Sequence, residues 1–370
     1  MAIKSALIVG GGIGGMTAAL ALTRLGVWVD LIDADPEWRV YGAGLSLTGI
    51  SLRAFEALGI LEDLKARGFV AKGMRVMDSQ GNVLMSAPVS ENPKTVEQSG
   101  GIMRPVLHDI LANRVREANI NVTLGVKVAR LEQDDDGVDV AFTDDRIGRY
   151  DLVVGADGIY STTRDLIFPD APKPKFTGQG AWRVVADRPT ETDRLEIYGG
   201  PFKIGVNPVS QDRMYLFLLE NLPDNPHFAQ DEYVPHLKQV LAPYGGHIAD
   251  IRDGLVDPML VNYRPLEWLL LPDPWYNGRV VLIGDAAHAT TPHLASGAGI
   301  AAEDALVLAE EVARHDHVAE ALDAFMKRRF ERAKMVVERS VNIGEIDMAG
   351  DIDRSNMMVA ESFHFLAAPY

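Results

Sequence analysis

Residues 4–15 read Lys4-Ser-Ala-Leu-Ile-Val-Gly-Gly-Gly-Ile-Gly-Gly15, and this stretch decides the fold of the chain. An apolar run of strand length precedes the glycines, and the Ala/Leu-rich stretch from Met16 to Leu25 follows them as a predicted helix. Gly10, Gly12 and Gly15 match the G-x-G-x-x-G spacing, which allows a tight turn, close approach of a pyrophosphate and close packing of helix on strand. The amide groups at the helix start would then face the phosphates. The sequence therefore predicts a dinucleotide site after the first strand.

A second apolar run, from Val27 to Ile32, ends in Asp33, which lies 21 residues after Gly12. At this distance a carboxylate accepts hydrogen bonds from the ribose of the adenosine. Because Asp33 would repel a 2′-phosphate, an unphosphorylated ribose is favoured. These residues leave open whether the dinucleotide is NAD or FAD.

The composition excludes several classes of site and partner. The chain has 370 residues, of which 47% are hydrophobic and 24% charged, as in a soluble globular protein of two or three domains. It has no cysteine, so disulfides, thiolate metal sites and a cysteine nucleophile are excluded. The formal charge of −16 argues against nucleic acid or an anionic membrane as a partner. No signal peptide or membrane-spanning run is recognisable, and we therefore expect a cytoplasmic protein.

The chain alternates between two kinds of segment. One kind contains the strand and helix patterns of a discontinuous α/β nucleotide-binding domain, in residues 1–72, 100–175 and 275–345. The other kind contains short strand patterns separated by Gly and Pro turns, which predict an inserted antiparallel sheet, in residues 73–99 and 176–274.

The C-terminal part predicts helices. An amphipathic pattern over residues 317–341 indicates a long helix, and residues 346–370 form a tail with no clear pattern. Within that helix the run Lys327-Arg-Arg-Phe-Glu-Arg332 is interpreted as a solvated face.

Two further acidic residues follow predicted strands. Asp285 comes after a buried strand, at the edge where ligands of open α/β sheets bind, and Gly297 opens a long helix whose positive end points back to that edge. A carboxylate beside a helix N-terminus suits the ribitol chain and the reduced ring of a flavin, although Asp285 could instead cap a turn. Asp157 and Gly158 form a third strand-end turn, which by itself could be a hairpin.

These stretches, in this order, resemble the single-component aromatic-ring hydroxylases, the family of FAD monooxygenases that includes para-hydroxybenzoate and salicylate hydroxylases. The resemblance covers residues 4 to 340. The chain departs from the family at Ala295-Ser296-Gly297, where Gly-Gln-Gly is common, and at Gly299, where Asn is frequent. The matching motifs are the glycine loop, Gly42-Ala-Gly-Leu45, Arg104, Gly155-Ala-Asp-Gly158, Trp182-Arg183, Gly284-Asp-Ala-Ala-His288 and Glu303-Asp304-Ala305.

The resemblance implies a Rossmann-like α/β FAD-binding domain of the GR2 type, an inserted antiparallel-sheet substrate domain and C-terminal helices. It implies non-covalent FAD, NAD(P)H as a transient co-substrate, and oxygen transfer from a flavin hydroperoxide to a small aromatic or heteroaromatic ring. The partners would then be small molecules, and the protein a monomer or a homodimer. The alternatives are a flavin oxidoreductase that does not hydroxylate and a non-catalytic FAD-binding protein.

The predictions for individual residues follow from these motifs. The predicted FAD-binding residues are Gly10, Gly12, Ile13, Gly14, Gly15, Asp33, Ala43, Arg104, Val128, Asp157, Gly158, Gly284, Asp285, Pro292, Gly297, Ala298 and Gly299. The predicted substrate residues are Trp182, Arg183, Tyr198, Tyr215, Pro292 and His293, with Arg183 the candidate to act beside the flavin. Any one of the aromatic residues could instead pack in the core. His288 and His293 lack a third ligand at a metal-binding spacing, so no metal is predicted, and no base is located.

Overall fold

The predicted first strand, Ser5–Val9, lies inside a parallel sheet in the computed structural model of the chain, which describes residues 3–40, 42–88 and 99–370. Residues 1, 2, 41 and 89–98 lie outside the described residues, so most of the second half of the predicted 73–99 segment is not assessed.

Strands and helices alternate in the N-terminal part of the chain, strands dominate its middle, and helices form its C-terminal part. The strands are β1 (Ser5–Val9), β2 (Trp28–Asp33), β3 (Gly44–Leu47), β4 (Phe69–Val70), β5 (Gly73–Met77), β6 (Val83–Pro88), β7 (Gly100–Met103), β8 (Asn121–Leu124), β9 (Val128–Gln133), β10 (Val138–Phe142), β11 (Ile147–Tyr150), β12 (Leu152–Gly155), β13 (Lys175–Asp187), β14 (Leu195–Tyr198), β15 (Lys203–Pro208), β16 (Arg213–Asn221), β17 (Val261–Trp268), β18 (Tyr276–Asn277) and β19 (Val280–Leu282). The helices are α1 (Ile13–Thr23), α2 (Gly49–Ala57), α3 (Leu61–Arg67), α4 (Arg104–Glu117), α5 (Thr162–Ile167), α6 (Tyr233–Val240), α7 (Gly246–Gly254), α8 (Asp285–His288), α9 (Gly297–Arg314), α10 (Val318–Met348) and α11 (Ile352–Leu366). Single 3-10 turns lie at Gln230–Glu232, Pro258–Leu260 and Pro292–Leu294.

The first sheet has six strands in the order β18-β19-β12-β1-β2-β8. Its strands are parallel except β18, which pairs antiparallel with β19 at the edge. Strands β1, β12 and β19 are almost entirely apolar because helices cover the sheet and leave them no contact with water. The carboxyl ends of these three neighbouring strands bring together the turns after Val9, Gly155 and Leu282, which are far apart in the chain. The predicted Rossmann-like layer is confirmed.

The second sheet has seven strands in the order β17-β13-β16-β15-β14-β5-β6. Its pairs are antiparallel, as predicted, except that β14 and β5 run parallel. The β5–β6 hairpin comes from an earlier part of the chain and joins the edge of the sheet beside β14. One face of the sheet packs against α6 and α7 in a core of its own, and the opposite face is turned to the first layer.

The C-terminal helices differ from the sequence-based prediction. Helix α10 extends seven residues beyond the predicted end at residue 341, to Met348, and the tail without a pattern contains α11. Arg329 and Arg332 are buried at 0% and 6% exposure, so the basic run is not simply a solvated face. The two arginines are three residues apart on α10 and therefore share the side of the helix that packs against α9. Within the described residues, each helix is either too short or too polar to cross a bilayer.

A buried acid and a partly buried histidine connect α7 to the second sheet. His247 Nδ1 lies 3.1 Å from Glu196 Oε2, and this hydrogen bond raises the pKa of His247 above its ordinary value of 6.5, although burial opposes the rise. The charges of Glu191 and Asp250 raise the pKa further.

Because the folded-state pKa of His247 is raised, its contribution to stability is complete below pH 6.5 and is lost as the pH rises through the folded-state pKa. We expect the difference in melting temperature between the wild type and His247→Gln to be largest at mildly acidic pH and to shrink toward pH 8. The exposed His227 provides a matched control, because His227→Gln removes a histidine without a buried carboxylate partner among the described residues. A constant difference across this pH range would contradict the coupling.

Candidate functional site

The glycine loop after β1 has the geometry that its three glycines predict. Gly10 has a φ of +108°, and a Cβ there would lie 2.4 Å from the Ala156 carbonyl oxygen. A Cβ at Gly15 would lie 1.9 Å from the Gly10 carbonyl oxygen, so helix α1 packs directly on the turn. A Cβ at Gly12 would meet no atom within 4 Å, and Gly12 lines the large cavity of the protein. The loop is therefore closed behind Gly10 and Gly15 and open at Gly12, as a pyrophosphate requires.

Asp33 holds this loop in place. Its Oδ2 accepts a hydrogen bond of 2.6 Å from the Gly11 amide, and its Oδ1 accepts one of 2.7 Å from the Asp35 amide. Each carboxylate oxygen has a second lone pair with which it can accept a ribose hydroxyl. The sequence did not indicate Trp38, which donates from Nε1 to the Gly11 carbonyl oxygen at 2.9 Å and packs edge-on against His108.

One cavity of about 1270 Å³ extends from the glycine loop to the second sheet. This volume exceeds the usual range for a single small ligand and leaves room for a dinucleotide and a substrate together. Among the predicted FAD residues, its lining includes Gly12, Ile13, Gly14, Ala43, Arg104, Gly158, Gly284, Asp285, Pro292, Gly297 and Ala298. The lining does not include Gly10, Gly15, Asp33, Val128, Asp157 or Gly299.

For three of the predicted FAD residues that do not line the cavity, their position in the fold explains why. Val128 begins β9 and is 6% exposed in the main core. Asp157 caps its own turn, because Oδ2 accepts a hydrogen bond of 2.9 Å from the Thr163 amide and Oδ1 accepts one from the Ser161 hydroxyl. A Cβ at Gly299 would lie 2.8 Å from Ser51 Oγ, so this glycine permits α9 to pack against α2. For these three residues the structure shows a packing or capping role, and their part in FAD binding stays a prediction.

Asp285 lies at the centre of the cavity wall. Desolvation by the surrounding protein raises the pKa of the Asp285 carboxyl group above its ordinary value. The charges of His288 and Arg104 oppose this rise. Gly284 precedes it with a φ of +59°, and a Cβ there would lie 3.0 Å from the Ala301 side chain. The carboxylate is exposed to the cavity and has a hydroxyl-rich ligand such as the ribitol chain as a suitable partner.

A buried ionic network holds the loop that carries Asp285. Asp304 accepts hydrogen bonds from the Gly284 amide at 2.9 Å, from His288 Nε2 at 2.5 Å and from Arg329 Nε at 2.8 Å. Glu303 completes the network through Arg329 Nη1 at 2.9 Å and Arg332 Nε at 2.8 Å. His288 therefore has a partner inside the protein, and the described residues contain no cluster that could hold a metal ion.

Replacing Arg329 should destabilise the protein strongly, because Arg329→Met removes the one arginine that is hydrogen-bonded to both buried carboxylates, Glu303 and Asp304. We expect the free energy of unfolding to fall by about 3–5 kcal/mol. Arg339→Met on the same helix removes a partly exposed pair with Glu361 and should cost about 0–1 kcal/mol. Chemical denaturation of both variants measures the difference, and equal losses would contradict the role of the network.

The predicted substrate residues divide between the two faces of the second sheet. Side chains alternate along a strand, so neighbours such as Trp182 and Arg183 cannot point to the same side. Arg183 and Tyr215 face the cavity, whereas Trp182 and Tyr198 are 0% and 2% exposed in the core on the opposite face. Trp182 donates from Nε1 to Glu220 at 2.7 Å, and Tyr198 donates to Glu196. The prediction that Trp182 and Tyr198 line the substrate site is thus not supported by their positions.

His293 and Pro292 line the cavity in the turn before α9. Burial and the charge of Lys203 together lower the pKa of His293 to about 3, against the opposing charge of Asp347, so the imidazole is neutral at physiological pH. Its Nδ1 lies 2.9 Å from Thr291 Oγ1, and its Nε2 is buried with no hydrogen-bond partner among the described residues. A histidine with so low a pKa is a poor base but a suitable hydrogen-bonding group.

The chain matches the FAD binding domain family over residues 4–340. It belongs to this family. The Bacillus subtilis protein YetM, named as an FAD-dependent monooxygenase, is 33% identical over 94% of this chain and 95% of its own length. The 2-heptyl-3-hydroxy-4(1H)-quinolone synthase of Pseudomonas aeruginosa is 32% identical, covering 92% of this chain and 88% of the synthase.

A solved structure supports the same assignment. Klebsiella pneumoniae HpxO in complex with FAD and uric acid superposes with a TM-score of 0.87 at 25% identity, over 97% of this chain and 92% of HpxO. The predicted family, fold and cofactor are confirmed, and the chain is an FAD-dependent monooxygenase. The open cradle at Gly12, the exposed Asp285 carboxylate and the start of α9 suit the pyrophosphate, ribitol and ring of FAD respectively.

Proposed function

We propose that this monooxygenase uses NAD(P)H and O2 to hydroxylate a planar aromatic or heteroaromatic compound that carries an acidic or carbonyl group. The observation that carries the proposal is the state of Arg183. Its side chain faces the cavity and forms no hydrogen bond or ion pair with the described residues. Burial lowers the pKa of Arg183, and the nearby charges of Arg104 and Arg264 lower it further. An enclosed guanidinium without a partner is unfavourable unless a ligand supplies one.

One further cation that lines the cavity, Lys203, is already neutralised. Lys203 forms an ion pair of 2.8 Å with Asp347, so it is not available to a ligand in the same way. Arg264, on the neighbouring strand, faces the same side as Arg183 because it pairs with Ala181 and side chains alternate. Two arginines thus favour a carboxylate, a phenolate or a polarised carbonyl.

The residues of the chain then have separate roles. Asp285 and the amides at the start of α9 hold and polarise FAD, which when bound supplies the activation of O2. Arg183 orients the substrate in the cavity, and His293 packs against α10 with its Nε2 buried beside Gly344. Tyr215 is held by a hydrogen bond of 2.8 Å between its hydroxyl group and Ser46 Oγ, so its ring forms a fixed wall.

The names of the relatives support this class of substrate. Uric acid is bound by HpxO, and a quinolone is the product of the Pseudomonas synthase, and both are planar heteroaromatic rings with carbonyl oxygens. We also propose that the chain functions in the cytoplasm as a monomer or homodimer, with residues 73–99 and 176–274 as its substrate-binding layer, 1–72, 100–175 and 275–345 as its FAD domain, and 346–370 as a C-terminal tail.

The test is an NAD(P)H-oxidation screen with the FAD-loaded protein over hydroxybenzoates, hydroxypyridines, quinolones and purines, with hydrogen peroxide measured alongside. We expect at least one of these aromatic compounds to stimulate NAD(P)H oxidation and to yield a product heavier by one oxygen atom. Stimulation that is fully accounted for by peroxide, or anaerobic turnover with another acceptor, would overturn the proposal and favour an oxidoreductase that does not hydroxylate. If none of the compounds in the screen is turned over, a non-catalytic FAD-binding protein would be favoured.

A further inference from the structure

The cavity face of the second sheet changes from cationic to apolar across the strands. Arg183 on β13 lies opposite Phe217 on β16, which lies opposite Gly205 on β15, which in turn lies opposite Ile197 on β14. These four residues therefore form one continuous row across the sheet. All of them except Gly205 contribute side chains to the lining of the cavity.

Gly205 removes the side chain that would interrupt this row. A Cβ at Gly205 would lie 2.8 Å from Phe217 Cζ and 3.1 Å from Ile197 Cδ1. The ring of Phe217 and the side chain of Ile197 thus meet above Gly205 and form an unbroken apolar surface. Leu195 on β14 and Met74 on β5 pair with each other and extend this surface toward the edge of the sheet. We call the surface formed by Phe217, Ile197, Leu195 and Met74 the apolar strip.

The far part of the strip, formed by Ile197 and Leu195 on β14, is too distant from Arg183 to contact the same ring, although Phe217 lies directly opposite the arginine. Three strand spacings separate β13 from β14, and at ~4.8 Å per spacing the distance is about 14 Å. The row therefore has a cationic end that can hold a polar ring and a distant end that offers only apolar contacts. Helix α11 adds Val359 and Phe363 to the lining of the same cavity, which increases its apolar surface.

We infer that the substrate carries an apolar chain several carbons long on its aromatic ring, and that the chain lies along the apolar strip while the ring lies near Arg183. This inference rests on the proposed function, because it assigns the ring to the arginine. Each methylene that is removed from water on the strip should tighten binding by about fourfold. An aromatic compound without an alkyl chain would leave the apolar strip in contact with water.

The experiment measures dissociation constants from the absorbance change of bound FAD in the oxidised holoenzyme, without turnover. The probes are 6-alkylsalicylates and 2-alkyl-4-hydroxyquinolines with side chains from methyl to nonyl. We expect the dissociation constant to fall by about fourfold per methylene until the chain reaches the end of the strip. Ile197→Thr and Leu195→Thr should reduce this dependence on chain length, and Ile197→Trp should move its limit to a shorter chain.

The matched control is Ile147→Thr, because Ile147 lies on a strand and is 85% exposed far from the cavity lining. FAD content and melting temperature show that each variant is folded. Dissociation constants that do not depend on chain length, while the unsubstituted rings bind and stimulate NAD(P)H oxidation, would overturn this inference alone. A chain-length dependence that is unchanged in all three strip variants would overturn it as well. If no ring binds at any chain length, the proposed function fails together with it.

Discussion

Gly12→Val should yield folded protein that purifies without FAD. Gly12 has a φ of −79° and a ψ of −173°, which is extended backbone that valine adopts readily. Its Cβ would have no neighbour within 4 Å, so the substitution does not disturb the packing around the loop. The valine methyl groups would instead occupy the space in which the pyrophosphate approaches the amides of α1. Loss of two or more charge-assisted hydrogen bonds predicts FAD binding weaker by about 100-fold or more.

The measurement is the FAD released by heat from purified protein, together with the melting temperature of the apoprotein. Gly254→Val is a matched control, because a Cβ at Gly254 also has no neighbour within 4 Å but lies outside the cavity lining. Gly15→Ala tests the opposite geometry, since its Cβ would lie 1.9 Å from the Gly10 carbonyl oxygen and should damage the fold itself. A Gly12→Val protein with full FAD content would show that the pyrophosphate does not lie at this turn.

Arg183→Met should abolish most of the activity and yet stabilise the protein. In the absence of substrate, the Arg183 guanidinium is enclosed and without a partner among the described residues, so an apolar side chain of similar length removes an unfavourable desolvation. With substrate bound, the same replacement removes one partner of an enclosed charged pair. The corresponding cost of about 3–5 kcal/mol predicts a decrease in kcat/KM of about 150-fold to 5000-fold.

The prediction is checked by steady-state kinetics with the ring acid found in the screen, and by thermal unfolding in the absence of substrate. Arg130→Met serves as the control, because Arg130 lies on a strand with its side chain 68% exposed. FAD content should remain at the wild-type level in both variants. A decrease in the melting temperature of Arg183→Met, or an unchanged kcat/KM, would contradict the assignment of Arg183 to the substrate.

The aromatic residues show where sequence-based prediction of the site was limited. Alternation along β13 places Trp182 and Arg183 on opposite faces, but it does not indicate which face forms the cavity. That choice depends on α6 and α7, which cover one face and bury Trp182 and Tyr198 with them. The opposite face of the sheet therefore forms the cavity wall. Arg264 lies on this wall, although no motif in the sequence had indicated it.

The basic run of α10 shows the same limit in another form. A cluster of arginines on an amphipathic helix usually indicates a solvated face. Here Arg329 and Arg332 lie opposite Glu303 and Asp304 of α9, and only the packing of the two helices reveals this pairing. Helix α11 had no pattern to predict it, because few of its residues are buried and its end is held by hydrogen bonds from Arg53 to the carbonyl groups of Leu366 and Ala367.

By itself, the sequence determined the glycine loop, the distance from that loop to Asp33, the Asp285 turn, the layered α/β fold and the FAD family. These features depend on backbone conformation and short-range spacing, which residues close together in the chain specify. The tertiary structure decided which side chains of the second sheet face the cavity, which charges are buried as pairs, and how the cationic and apolar ends of the cavity are arranged. Those properties depend on contacts between separate helices and strands, and local residue patterns carry no information about which of these contacts form.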